Sequence, residues 1–144
     1  ASSLELQILN SANQFAGAFQ DVYFGPAGVG TPGTFSGWHK LTSGDSGGIE
    51  IRIEWRNSVS NSEISRTINF SPAPGPAYEE FSLTANAPAG SDTARIVYAI
   101  QSFGGALNQD IFVDDLSFTI IPEPASIALA AVSGLGLLAA RRRR

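Results

Sequence analysis

The sequence predicts an all-β body, a two-sheet sandwich, followed by a short apolar helix at the C-terminus. Three observations predict it. Apolar and polar residues alternate at period two in several segments ahead of residue 121, the pattern of strands buried on one face. Fifteen glycines and eight prolines, spread between short apolar runs, break the chain too often for long helices. Nothing before residue 121 calls for a helix, and eight short strands at this spacing suit two packed sheets.

Taken in order, the expected strands are 4–9, 16–24, 34–41, 49–56, 64–70, 78–84, 94–102 and 111–121. Turn-rich stretches at 25–33, 43–48, 71–76 and 87–92 separate them. Segment 49–56 is the cleanest: Ile49, Ile51, Ile53 and Trp55 face one way, Glu50, Arg52, Glu54 and Arg56 the other. In 94–102, Tyr98 shares a face with Ile96 and Ile100, which favours burial. In the last strand, strict alternation groups Phe112, Asp114, Leu116 and Phe118, so Asp114 is expected to point toward the core. An unpaired carboxylate there is costly, and a bound cation would remove the cost. Calcium, which takes carboxylate and carbonyl oxygens, is the natural choice.

With 144 residues, 43% of them hydrophobic and 15% charged, the chain can hold one domain with a core. Four of the nine Lys and Arg are Arg141 to Arg144, and Glu123 is the one acid among the 13 that follows Pro122. Five cations therefore face twelve anions in the body, a net charge of −7. Such a surface repels phosphate backbones, which argues against a nucleic-acid partner. Cysteine is absent, so disulfides, thiolate metal sites and a cysteine nucleophile are excluded.

Catalysis is hard to build from this inventory, and the expectation is a protein that is not an enzyme. His39 is the only histidine, and no motif supplies a serine and an acid to work with it. The GDSGG run at 44–48 reads as a turn. Glu79 and Glu80 are neighbours on a strand and point to opposite faces, so they cannot flank one glycosidic bond. Binding is easier to assemble. Stacking on a sugar needs exposed aromatic rings with planar polar groups nearby, and Trp38, Tyr98, Arg52 and Gln101 are the candidate ligand-binding residues. Trp38, flanked by glycine and followed by His39 and Lys40, is the foremost of these; Tyr23 and Tyr78 are further available rings.

The C-terminus is built differently. Pro122-Glu123-Pro124 precedes an uncharged run at 125–140, and Arg141, Arg142, Arg143 and Arg144 end the chain. As a helix the run would span about 24 Å, short for a hydrocarbon core of about 30 Å but tolerable with local thinning. The arginines would stay cytoplasmic, placing the body outside. The prolines would keep the Pro-Glu-Pro peptide extended and open to an enzyme at the outer face of the membrane. The arrangement resembles the PEP-CTERM sorting signal of Gram-negative, exopolysaccharide-producing bacteria. That resemblance implies an exosortase that recognises Pro122, Glu123 and Pro124, removes the tail after transient inner-membrane anchoring, and passes the body to the cell surface or extracellular matrix. The opening Ala1-Ser2-Ser3-Leu4 has none of the features of a secretory signal, so one is expected upstream.

The body carries a second resemblance. AFQDVYF, FSGWHKLT, IEIRIEW, YEEFSLTANAPAG, ARIVYAI and IFVDDLSFT, in that order, are similar to jelly-roll carbohydrate-binding modules with a galactose-binding-like architecture. The resemblance implies a structural calcium held by an aspartate at the place of Asp114. It also implies an opening strand ahead of the first one here, with an Asn-Gly-Phe-Glu type segment that this sequence lacks. The expected organisation is a β-sandwich domain at 1–120, without that first strand, and a sorting signal at 121–144. The expected function is that of an exported surface protein associated with exopolysaccharide. The alternatives are a purely structural or adhesive module and a small secreted hydrolase.

Overall fold

The computed structural model describes residues 3–26, 29–44, 48–103 and 107–121. The apolar helix expected at 125–140 lies outside the described residues, as do Pro122, Glu123, Pro124 and Arg141 to Arg144. The body is all β: β1 Leu4–Ser11, β2 Gln14–Tyr23, β3 Pro32–Gly44, β4 Ile49–Asn57, β5 Ser62–Arg66, β6 Glu79–Asn86, β7 Thr93–Ser102 and β8 Leu107–Ile120. They form two antiparallel four-stranded sheets, a back sheet in the order β1-β8-β3-β6 and a front sheet in the order β2-β7-β4-β5. The sheets meet where β1 lies against β2 and β7, β7 against β8, and β4 against β6.

Each expected strand has a counterpart, with shifted bounds: the third extends at both ends, over Pro32–Gly44, and the last begins earlier, at Leu107. The fifth ends at Arg66 rather than at residue 70. Thr67 ends the regular pairing: its N–H donates to the Ile53 carbonyl at 3.0 Å, and its hydroxyl accepts the Ile53 N–H at 3.1 Å. Phe70 then rejoins β4 through a single bridge to Ile51.

The core follows the alternation. On β4, Ile49, Ile51, Ile53 and Trp55 are buried, and removing each isoleucine from water contributes about 1.5–3 kcal/mol. On β7, the central strand of the front sheet, Ala94, Ile96, Tyr98 and Ile100 face inward. The back sheet supplies Leu6, Ile8, Phe35, Phe81, Ile111 and Val113. A polar link crosses between the sheets inside this layer. His39 Nδ1 on β3 and the Tyr98 hydroxyl on β7 share a 2.7 Å hydrogen bond, packed against Phe81 with ring centroids 5.2 and 5.5 Å away. Burial pushes the His39 imidazole below its ordinary range and the Tyr98 phenol above its own. Both are therefore neutral near pH 7, and each satisfies the other.

The last strand departs from strict alternation. Ser36 pairs with Ser117, but Trp38 pairs with Asp114, so β8 carries one residue more than β3 between these points. The extra residue is accommodated at Asp115, whose φ of 49° is left-handed. This bulge reverses the facing of everything beyond it. Ile111 and Val113 point inward before it, and Phe118 and Ile120 pack on the core after it. Asp114 consequently lies on the outer face together with Phe112, not on the core side with Leu116 and Phe118.

Candidate functional site

The outer face of the front sheet carries the densest set of exposed binding-type side chains. It is assembled from β2, β7 and β4, whose registers bring successive outward residues side by side: Phe15 beside Gln101, Phe19 beside Val97, Asp21 beside Arg95, and Arg52 beside Val97 from the other edge. Along β2 the outward residues are Phe15, Gly17, Phe19, Asp21 and Tyr23. Phe15, Phe19 and Tyr23 are between 58 and 67% exposed, and Phe103 at the end of β7 is equally open. Four residues of strand separate each ring of the β2 row from the next, roughly 13 Å. The row therefore runs the length of the edge strand.

The backbone beneath the row is shaped to hold it. A Cβ on Gly17 would come within 2.8 Å of the Ala99 Cβ and 3.1 Å of the Phe15 ring. Glycine thus lets β2 lie close on β7 and leaves room for Phe15 to lean over it. Phe19 is held by Arg95, whose guanidinium sits 4.3 Å from the ring centroid. Arg95 is fixed in turn by Asp21, with Nε to Oδ1 at 2.7 Å and a second bond of 2.9 Å to Oδ2. This pairing holds the Asp21 carboxyl below the usual carboxylate range. Between Phe15 and Phe103, a cleft of about 250 Å³ is lined also by Asn13, Gln14, Gln101 and Ser102.

Beside the rings runs a ladder of paired charges. Arg52 donates to Glu50, and its Nε donates to Glu54 Oε1 at 2.8 Å. Arg56 approaches Glu54 at 3.6 Å, and Arg66 on β5 makes two 2.6 Å bonds to Glu63, which hold the Glu63 carboxyl low. Gln101 Nε2 donates to Glu50 Oε2 at 2.9 Å, joining β7 to the ladder. Arg52, Arg56, Arg66 and Arg95, the four arginines ahead of the tail, all belong to this face, and each is matched with a carboxylate. The face therefore holds planar amide, guanidinium and carboxylate groups in fixed positions with little net charge, Glu54 buried and Glu50, Arg52 and Arg56 partly open, next to a row of rings. Such a surface can stack the apolar faces of sugars and hydrogen-bond their hydroxyls.

The residues singled out from sequence separate accordingly. Arg52 and Gln101 are brought together, both contacting Glu50. Tyr98 is a correction: it is 1% exposed and its hydroxyl is spent on His39, so it is a core residue rather than a surface ring. Trp38 is exposed as expected but lies on the outer face of the back sheet, away from Arg52 and Gln101. Asp114 is the second correction. Its carboxylate faces outward beside Trp38 and accepts the Asp115 N–H at 2.9 Å, so the cost that called for a cation is absent. Among the described residues, no three His, Asp or Glu side chains gather as a metal site. Phe15, Phe19 and Phe103 join the site only in the structure, because alternation along β2 does not tell which of its two apolar faces packs inward.

Residues 121–144 match the PEP-CTERM protein-sorting motif, and that motif implies export with a C-terminal, membrane-associated sorting signal. No curated protein sequence matches the chain. Among solved structures, the fold is similar to the enzymatically active domain of tailspike protein 4 from bacteriophage CBA120 (TM-score 0.65, 17% identity), covering 83% of this chain and 15% of that one. It is also similar to the CBM22-1 xylan-binding domain of Paenibacillus barcinonensis Xyn10C (TM-score 0.52, 12% identity, 83% and 74% covered). A family 16 carbohydrate-binding module aligns comparably (TM-score 0.51, 18% identity, 78% and 74% covered). The chain spans a small part of the tailspike and about three quarters of the two modules. At these identities the likeness establishes the jelly-roll fold of carbohydrate-binding modules and nothing finer.

Proposed function

We propose that this protein is a non-catalytic surface module, sorted by an exosortase through its PEP-CTERM tail, that binds an extracellular polysaccharide across the outer face of its front sheet. The observation that carries this reading is the row Phe15, Phe19 and Tyr23, held open to solvent on β2 beside the paired ladder of β4 and β7. Leaving three large rings exposed along one edge is costly for a free surface and useful for a binding one. The modules that share the fold include one named for xylan binding, which adds a carbohydrate ligand to the same expectation.

A binding role also suits the acids of the face better than hydrolysis does. Glu50 and Glu54 both accept from the one Arg52 guanidinium, so each carboxylate is already ion-paired rather than free to attack or protonate a glycosidic bond. A general acid needs a raised pKa, and Arg95 and Arg66 instead hold Asp21 and Glu63 low.

The test is retention on immobilised xylan, amorphous cellulose and β-1,4-galactan. Wild-type protein is expected to be held by at least one polymer. Phe19→Ala and Tyr23→Ala should each weaken retention about tenfold, equivalent to about 1.4 kcal/mol. Val59→Ala, at an exposed apolar side chain that is not part of the row, should change nothing. Retention by none of the three polymers, or equal retention by all variants, contradicts the reading.

A further inference from the structure

We infer that the outer face of the back sheet is a second glycan-binding surface, so that one molecule bridges two polysaccharide chains. The inference rests on the polysaccharide reading of the front face and extends it to a side of the molecule that shares none of its residues. On β3, β6 and β8 the outward positions fall into ranks across three neighbouring strands. Trp38 is flanked by Glu80 on one side and Asp114 on the other. The next rank is Ser82, Ser36 and Ser117, and the one after it Thr84, Thr34 and Thr119. The sequence shows the same pattern: Ser82-Leu83-Thr84 and Ser117-Phe118-Thr119 run parallel to each other, and Thr34-Phe35-Ser36 runs between them in reverse.

The face has an aromatic end and a hydroxyl end. At the aromatic end, Trp38 is 41% and Tyr78 39% exposed, and the Lys40 ammonium lies over the rings of Tyr78 and Phe112 at 4.8 and 5.4 Å. Below it, six hydroxyls lie about 4.8 Å apart across the strands and about 6.7 Å along them. None of these six positions is charged in a body of net −7, and the body's arginines all lie on the opposite face. Hydroxyls can donate or accept, as the Thr34–Thr84 pair at 2.9 Å does in either sense, and so match a polyol whatever the direction of its own O–H groups. Glu5, Glu80, Asp114 and Asp115 around the tryptophan disfavour a polyanion. The partner that fits is a neutral glycan chain, stacked on Trp38 and lying over the serine and threonine ranks.

The two faces point in opposite directions, so two chains can be held at once without competing. The experiment is a two-step capture with the full chain, on xylan, amorphous cellulose or β-1,4-galactan beads. Protein bound to the beads is washed and offered the same polymer in soluble, fluorescent form. Wild-type protein should capture it. Trp38→Ala, and independently Ser82→Lys, should stay on the beads through the front face but lose at least about four fifths of the captured fluorescence. Unchanged melting temperatures establish that both variants are folded. Retention of the variants with undiminished capture overturns the second surface alone and leaves the front-face reading standing. Failure of wild-type protein to bind any of the three polymers overturns both.

Discussion

At the residue scale, His39 shows how a side chain suited to chemistry becomes part of the structure. It is the only histidine, and the fold places it between the sheets with its Nδ1 on the Tyr98 hydroxyl and its ring against Phe81 and Tyr98. Burial lowers its pKa more than the facing Glu79 carboxylate raises it. The sign of the pH dependence follows. Above about pH 6.5, the ordinary imidazole value, both the folded and the unfolded chain hold His39 neutral, and stability is at its full level. As pH falls through 6.5, the unfolded chain takes up a proton that the folded chain resists, and stability declines until the folded pKa is passed. The urea midpoint of wild-type protein should therefore fall between pH 7 and pH 5. His39→Gln should show a flat midpoint over that window, at a level about 1–2 kcal/mol lower for the disturbed link to Tyr98. A midpoint that fell equally in both proteins would show that other groups carry the effect.

Asp114 and Phe19 mark the limits of reading residues one at a time. Unbroken alternation along the last strand puts Asp114 on the core side, and a single left-handed residue, Asp115, interrupts it. Aspartate tolerates that conformation better than most residues, so a bulge there was possible, but periodicity contains no signal for its position. Phe19 and Phe15 were missed for a different reason. On β2, both faces are fairly apolar, with rings at one set of alternate positions and Ala16, Ala18 and Val22 at the other. Period two reveals that two faces exist, and only packing decides which one is inside.

At the element scale, the strands themselves were legible because each satisfies its local pattern. β4 is the clearest case, since the four inward apolar residues and four outward charges read from the sequence are the ones observed. The end of β5 was not legible, because Thr67 stops the pairing through its own hydroxyl and backbone while Ile68 and Phe70 still look strand-like. β2 adds a prediction about how an element supports a site. Gly17 is the point of close approach to β7, and a branched side chain there would have to displace Ala99 or the Phe15 ring. Gly17→Val should cost about 1–3 kcal/mol in urea unfolding and should also reduce polysaccharide retention, because Phe15 loses its bed. A variant as stable and as well retained as wild type would mean that β2 shifts freely and that the row does not depend on its backbone.

At the scale of the whole molecule, charge and topology divide the tasks. The body's arginines are confined to the front face and neutralised there, and the remaining acids make the rest of the body strongly negative. Such a charge disfavours non-specific adsorption to an anionic surface. The cationic cluster sits apart, in Arg141 to Arg144, at the far end of the sorting motif. Deleting these four residues, or replacing Pro122 with Ala, should leave the protein unprocessed and in the cell envelope fraction. The wild-type chain should instead appear shortened and at the cell surface or in the medium, as read by immunoblot of fractionated cells. Normal processing of both variants would remove the exosortase from the account. The tail's identity was legible because it is a linear signal, read in order along the chain. The binding face was only partly legible, because Phe15, Phe19, Arg52 and Gln101 meet through the register of three strands that are not adjacent in sequence.

Glycan binding at the front face is tested most directly by amide chemical-shift mapping. Isotope-labelled protein would be titrated with soluble oligosaccharides of whichever polymer retains it. Saturable perturbations at Phe15 to Tyr23 on β2, at Val97 to Gln101 on β7 and around Arg52 on β4, separate from those of the second surface around Trp38, are the predicted result. Saturable shifts that spare those residues, or none at a concentration where the polymer itself retains the protein, would contradict it.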